Sequence, residues 1–523
     1  MTVSKILKDF SAWTSAHGIP HVGSAQNNYL RIFWATIFLA SSCMFISQFI
    51  QLIEKFVAYD VTVQTELKFE ERAFPTVTLC NLNPFRRTAI GNDTKIGKML
   101  LEYEKQVKSG GKEIDKDLPW GWQMVVPVSN KSVAREHLTF LSMQLSEEER
   151  DELTYQKEDE DFRSGFILDC AFNTRDCNIS MDFIERYDPV FGKCFTFNFD
   201  ESKTSSRAGP LYGLRLLAVC NEEEYLPMIE TAGIRVAVHG WDEQPFPDAF
   251  GYNAAAGFTT SFGIKFVKTT RLPKPYGVCT DDLEGIDYFY KLPDGQRGTF
   301  QVEGCFRTCY QQNVIQECGC ADARIAKPEE PILDKDGKRI TVEYCAPENM
   351  TARQCVNRFS DRIGTDTEFG QDFDLFHMCT CPQPCTEANY GVTVSTALWP
   401  SDVYTPPDCK VSEAAYYSNK PWGQGREECT KWYRKNTMLA EVYYERMNYQ
   451  LLSESPAYSL VNLISDMGGQ LGLWMGVSVI TMVEFISLII LLCMYYYNKH
   501  RNKDSVDDYE DDAYSVSPFD GKR

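Results

Sequence analysis

The chain has 523 residues, 19 of them Cys, and a formal net charge of −20 at pH 7. So many cysteines exceed what a reducing compartment keeps as free thiols, and so negative a balance argues against a nucleic-acid partner. No His-Glu-x-x-His, Gly-x-x-x-x-Gly-Lys or Gly-x-Ser-x-Gly string occurs and the six His are scattered, so an enzyme is set aside and no cofactor or metal is expected.

In chain order, residues 1–28 form a short N-terminal segment. Ile32 to Ile50 then carries no charged side chain, which is about 28 Å of helix at ~1.5 Å per residue. This predicts a first membrane span within residues 29–52. It lies too far from the N-terminus for a removed signal peptide and reads as a signal anchor. Residues 53–458 hold 17 of the 19 Cys, between Cys80 and Cys429, and the sequons at Asn92, Asn130, Asn178 and Asn349. Residues 1–52 carry a net +2 and residues 459–523 a net −4, which leaves −18 of the charge on this middle segment. The pattern predicts a disulfide-rich, glycosylated domain on the oxidising side of a membrane, whose acidity raises the local cation concentration.

Within the middle segment, Gly233 to Phe266 alternates β-branched runs with Gly and Pro, as in strands joined by tight turns. His239 follows the strand-like Ile234–Val238 and reads as a structural histidine rather than a base. Residues 459–497 make a second, longer span: Met467 to Val483 is uncharged, Glu484 stands alone, and Phe485 to Tyr497 is uncharged again. Lys499, Arg501 and Lys503 follow it, while Lys5, Lys8 and Arg31 precede or open the first span. Basic flanks at both ends put both termini in the cytoplasm and residues 53–458 outside. The remainder, 498–523, is a cytoplasmic tail whose acidic stretch Asp504–Asp512 reads as disordered.

A carboxylate inside a span is costly and usually faces a bundle interior or an aqueous path. Gly468, Gly472 and Gly476 recur every fourth residue, a spacing that lets helices approach closely. Two readings follow. One is a tight helix seam without conduction. The other is a pore helix with Asp466 at the outer mouth, glycines at the constriction and Glu484 beneath, since rings of carboxylate select cations.

Several strings, in order, resemble the degenerin/epithelial sodium channel/acid-sensing channel superfamily over nearly the whole chain, most closely its invertebrate, nematode-like degenerins. They are His17-Gly18, Phe74-Pro75-Thr76-Val77-Thr78-Leu79-Cys80-Asn81, Gly192-Lys193-Cys194-Phe195-Thr196-Phe197-Asn198, Cys379-Thr380-Cys381-Pro382-Gln383-Pro384-Cys385, and Ser465-Asp466-Met467-Gly468-Gly469-Gln470-Leu471-Gly472-Leu473-Trp474. The resemblance implies an α+β membrane protein: two transmembrane helices and a large disulfide-rich ectodomain with a β-palm and helical finger and thumb regions. It implies a plasma-membrane homotrimer or heterotrimer with related subunits, embedded in lipid, carrying sodium ions and blocked by amiloride. Gly476, Val477 and Ser478 stand where the family has its selectivity filter, Asp466 and Glu484 where pore acids are expected. His17 and Gly18 match a gating motif, and Ser465 the position beside the gate.

The same resemblance implies the disulfides Cys80–Cys194, Cys170–Cys177, Cys279–Cys385, Cys305–Cys381, Cys309–Cys379, Cys318–Cys355 and Cys320–Cys345. Cys409 and Cys429 are then expected to pair, leaving Cys220 odd. A zinc cluster of Cys379, Cys381, Cys385, Cys318 and Cys320 is the competing reading, with His377 the only histidine near. Tyr59-Asp60 replaces the paired histidines of acid-sensing members. Glu66 keeps one palm carboxylate, but Gln450 stands for the other. These departures weaken activation by acid and leave protons, peptide, mechanical force and constitutive leak open as stimuli. The alternative function is a non-conducting disulfide-rich receptor or a regulatory subunit of a heteromeric channel.

Overall fold

The computed structural model of the chain describes residues 3–110, 131–159, 164–280, 288–292, 298–333, 338–362, 379–410, 420–422 and 425–513. The chain divides into two compact units, Val63–Ser453 on one hand and Met1–Thr62 with Glu454–Arg523 on the other.

The Val63–Ser453 unit is built on two sheets. The smaller runs in the order Gly251–Ala255, Gly233–His239, Thr76–Asn81, Gly192–Phe197, Phe183–Asp188. Every residue of Thr76–Asn81 and Gly192–Phe197 is buried, so alternate side chains serve two interiors. Val77, Leu79, Phe195 and Phe197 enter the main core. On the other face the Thr78 and Thr196 hydroxyls lie 2.9 Å apart, and Thr76 Oγ1 donates to the Asn198 carbonyl at 2.9 Å. His239 completes this buried polar row. Its Nδ1 faces the Gly240 carbonyl at 2.7 Å and its Nε2 lies 2.8 Å from the Thr78 hydroxyl. A carbonyl can only accept, so Nδ1 carries the proton. Burial pushes the imidazole pKa down to about 3, so this is a neutral structural histidine.

The larger sheet runs Val61–Phe69, Asn448–Pro456, Phe258–Thr270, Thr437–Tyr444, Leu214–Val219, Ile167–Phe172, Arg175–Asp176, with Thr386–Leu398 also on Phe258–Thr270. That last antiparallel ladder is continuous from Phe258 opposite Leu398 to Thr270 opposite Thr386. The core contains Phe74, Phe166, Phe262, Leu214, Leu216, Met438 and Val442. The strand-and-turn pattern expected from Gly233 to Phe266 is present as three strands.

Two helical regions flank the sheets. In Lys95–Ser109 the buried Ile96, Met99, Leu100 and Tyr103 follow helical spacing and pack with Ala134, Leu138 and Leu226. Thr94 caps this helix by accepting from the Gly97 N–H at 3.0 Å. A second helix, Val302–Cys318, packs Tyr310 and Val314 against Val356 and Phe359 of Met350–Arg362.

Eight disulfides staple this unit: Cys80–Cys194, Cys170–Cys177, Cys279–Cys385, Cys305–Cys381, Cys309–Cys379, Cys318–Cys355, Cys320–Cys345 and Cys409–Cys429. Cys305 and Cys309 lie one helical turn apart and meet Cys381 and Cys379 in reverse order, which nests the two bridges. All five cysteines of the competing zinc reading are therefore bonded to sulfur. His377 lies outside the described residues. Cys220 is a free, buried thiol that burial pushes up to about 12. Asn92, Asn178 and Asn349 are exposed; Asn178 and Asn349 also cap helices, accepting from the Met181 and Ala352 N–H groups at 3.1 Å each. Asn130 lies outside the described residues.

Glu243 accepts from the Gly240 N–H at 2.8 Å, and burial raises its pKa from 4.5 to about 7. Its folded-state pKa is the higher one, so its contribution to stability is complete below pH 4.5 and is lost as pH rises through 7. Glu243→Gln, which mimics the neutral acid, should raise the denaturation midpoint relative to wild type at pH 8 and leave it nearly unchanged at pH 4.5. Urea titrations at the two pH values check this.

The other unit is helical: Val3–Trp13, Ile19–Ser24, Asn28–Val57, Leu460–Met475 and Val479–Ala513. Asn28–Val57 and the Val479–Asn498 part of the last helix are long and apolar enough to cross a membrane. The second apolar segment is not one helix, because Gly476 interrupts it. Val479–Ala513 runs on into the acidic stretch Asp504–Asp512.

Candidate functional site

The interruption of the second apolar segment is the chemical centre of the helical unit. Ser459 starts Leu460–Met475, its hydroxyl accepting from the Asn462 N–H at 3.3 Å. Gly476 ends it in the left-handed region at φ 61°. Its N–H donates to the Gly472 carbonyl at 3.1 Å, and the Val477 N–H to Leu471 at 3.3 Å. Ser478 then opens the next helix. Its N–H donates to Thr481 Oγ1 at 3.1 Å, while the Thr481 N–H donates back to Ser478 Oγ at 3.4 Å. This is a reciprocal cap with Thr in the place usually held by Glu or Gln. Gly476, Val477 and Ser478 thus form a three-residue non-helical step between two apolar helices.

The N-terminal segment folds onto this step. The His17 N–H donates to the Met475 carbonyl at 3.1 Å. The His17 ring lies where a Cβ at Gly476 would go, so any other side chain at 476 would collide with it. Gly18 takes φ 86°, a conformation glycine adopts freely. A Cβ there would come within 3.0 Å of the Phe38 ring. His21 stacks on Trp34 at 4.4 Å between centroids. His17 and Gly18 are therefore joined to the helix break.

Glu484 is likewise engaged. Its Oε2 accepts from Thr14 Oγ1 at 3.0 Å and from the Ser15 N–H at 2.7 Å and Oγ at 3.2 Å. The Ser15 hydroxyl also lies 2.6 Å from Thr481 Oγ1. One chain of polar contacts thus links Ser478, Thr481, Ser15 and Glu484. In apolar surroundings a carboxylate that accepts three hydrogen bonds on one oxygen is far less costly than a bare one. Asp466 and Ser465 are exposed on Leu460–Met475, two to three turns before the break. A Cβ at Gly468, Gly469 or Gly472 would meet nothing within 4 Å. Across the apolar helices, Trp474 Nε1 donates to Gln48 Oε1 at 2.6 Å.

Thr14, Ser15 and Thr481 are absent from the residues expected from sequence. The Ser478-x-x-Thr481 spacing was a readable cap signal. Nothing in the string Trp13-Thr14-Ser15 marks it as a partner of a glutamate about 470 positions away.

Similarity to known proteins extends over nearly the whole chain. The family model described as amiloride-sensitive sodium channel matches residues 10–488. Degenerin deg-1 of Caenorhabditis elegans is 40% identical over 71% of this chain, an alignment covering 43% of that relative. Degenerin mec-10 of the same organism is 28% identical over 96% of this chain and 85% of its own length. Degenerin-like protein asic-2 is 31% identical over 93% of this chain and 86% of its length. The chain thus spans less than half of some relatives and most of others. A match from the first helix through Glu484, over an α/β domain bearing eight disulfides, leaves one conclusion: the chain belongs to the amiloride-sensitive sodium channel family, a family of ion channels and not of enzymes.

Proposed function

We propose that this chain is one subunit of a trimeric, sodium-permeable, amiloride-blocked channel, alone or mixed with related subunits. Both termini lie in the cytoplasm, and residues 53–458 form the extracellular domain that controls gating. The observation that carries this reading is the Gly476–Val477–Ser478 step between two apolar helices. Non-helical backbone at membrane depth is tolerated where it lines a cavity or is buried in protein, and it exposes oxygens that a cation can use. The glycine stripe supports it: Gly468 and Gly472 leave open space within the single chain, as a face that meets symmetry-related helices requires. In this reading Asp466 draws cations to the outer mouth and Glu484 anchors the N-terminal gate below the filter. Ser465 lies beside the gate and is small, so the channel is closed at rest.

The test is voltage clamp of oocytes expressing the chain, with external pH stepped from alkaline to acid, with and without amiloride. The expected result is an amiloride-blocked inward current carried by sodium, which Ser478→Phe removes at equal surface expression. A surface-expressed chain that stays silent, even with Ser465 replaced by Val to force opening, would favour the non-conducting receptor or regulatory subunit.

A further inference from the structure

Asp466 is exposed, yet its carboxylate is already committed. The Tyr458 hydroxyl donates to Asp466 Oδ2 at 2.7 Å. Tyr458 itself is 7% exposed, and the Lys55 ammonium stands 4.5 Å from the centroid of its ring. The three residues come from three places in the helical unit: the last turn of Asn28–Val57, the residue just before the capping Ser459, and the second turn of Leu460–Met475.

A carboxylate that accepts from a phenol has given up a lone-pair direction and part of its charge, and its rotamer is fixed. A cation over the ring draws electron density from it, which strengthens the phenol as a donor and adds positive charge near the acid. A hard divalent cation seeks carboxylate oxygen with full charge and free lone pairs. We infer that Tyr458, with Lys55 on its ring, is a positioning residue that keeps Asp466 from closing on a divalent cation and so sets how tightly the outer acid binds calcium. The inference rests on the reading of Asp466 as the outer acid of the cation path, and it goes beyond it by naming what restrains that acid.

The test is calcium titration of the purified full chain in phosphatidylcholine nanodiscs, whose neutral headgroups add few calcium sites. Wild type, Tyr458→Phe, Asp466→Asn and the double variant are compared, and the Asp466-dependent component is the binding lost in Asp466→Asn. Tyr458→Phe keeps the ring beneath Lys55 and removes only the hydroxyl. It should tighten that component about three- to tenfold, and the effect should vanish in the double variant. Lys55→Met, which leaves the hydroxyl in place, should shift affinity in the same direction by less, and it decides the matter if Tyr458→Phe fails to fold. An Asp466-dependent component that Tyr458→Phe leaves unchanged or weakens overturns the inference. So does the lack of any such component in both wild type and Tyr458→Phe. The titration needs no current, so a silent but well-expressed chain would count against the channel reading alone.

Discussion

Gly476→Ala should remove most of the sodium current at equal surface expression. Two independent costs fall on this one methyl group. The backbone stands at φ 61°, where a residue other than glycine is strained by about 1–3 kcal/mol. The new Cβ would also occupy the space of the His17 ring, so either the ring or the helix end must move. His17 is tied by its own N–H to the Met475 carbonyl, and its movement loosens the whole Thr14–His17 segment from Glu484 and Thr481. The strain alone corresponds to about 5- to 140-fold in an equilibrium between an intact and a displaced break. Pairing the variant with His17→Ala separates the two costs. The double variant should recover the part due to collision and keep the part due to backbone strain. Current normalised to surface protein measures both.

Removing the Cys80–Cys194 bridge, by serine at both positions, should cost the Val63–Ser453 unit about 5 kcal/mol or more. The two cysteines are direct cross-strand partners in the middle of the buried sheet and are 0% and 1% exposed. The bridge closes a sequence separation of 114 residues, for which chain entropy alone gives about 4.7 kcal/mol. Two serine hydroxyls left in an apolar pocket beside Leu82 and Phe191 add a desolvation cost. Since a whole domain is stable by only about 5–15 kcal/mol, the variant should be retained inside the cell. Surface biotinylation, with urea denaturation of the purified protein, checks the expectation. Removing Cys320–Cys345, which closes only 25 residues, should be milder.

Much of this molecule was legible from sequence because its signals are local and strong. Ile32 to Ile50 is apolar enough to announce a spanning helix, while residues 459–497 read as one span and the resemblance marked Gly476 only as part of the filter position. The disulfide partners were not legible from spacing, since 17 cysteines admit very many pairings. They came from the resemblance, and the structure pairs Cys305 and Cys309 with Cys381 and Cys379 through helical geometry that spacing does not encode. The zinc alternative failed for the same reason: close-set cysteines look alike whether they bind metal or sulfur. The partners of Glu484 and Asp466 stayed hidden for another reason. Thr14 and Ser15 meet Glu484 only because the N-terminal segment folds back. Tyr458 reaches Asp466 because it lies along the start of a helix whose first turns pass beside it, and single hydroxyl groups leave no pattern in a sequence.

The most direct test of the account is the reversal potential of the purified full chain in planar bilayers, under a sodium chloride gradient with an impermeant organic cation as the substitute. The account predicts unitary currents that reverse close to the sodium equilibrium potential, and that lose sodium selectivity when Ser478 is replaced by alanine. Currents that reverse at the chloride potential, or a sodium selectivity that is indifferent to Ser478 and Gly476, would contradict the assignment of Gly476–Val477–Ser478 as the filter.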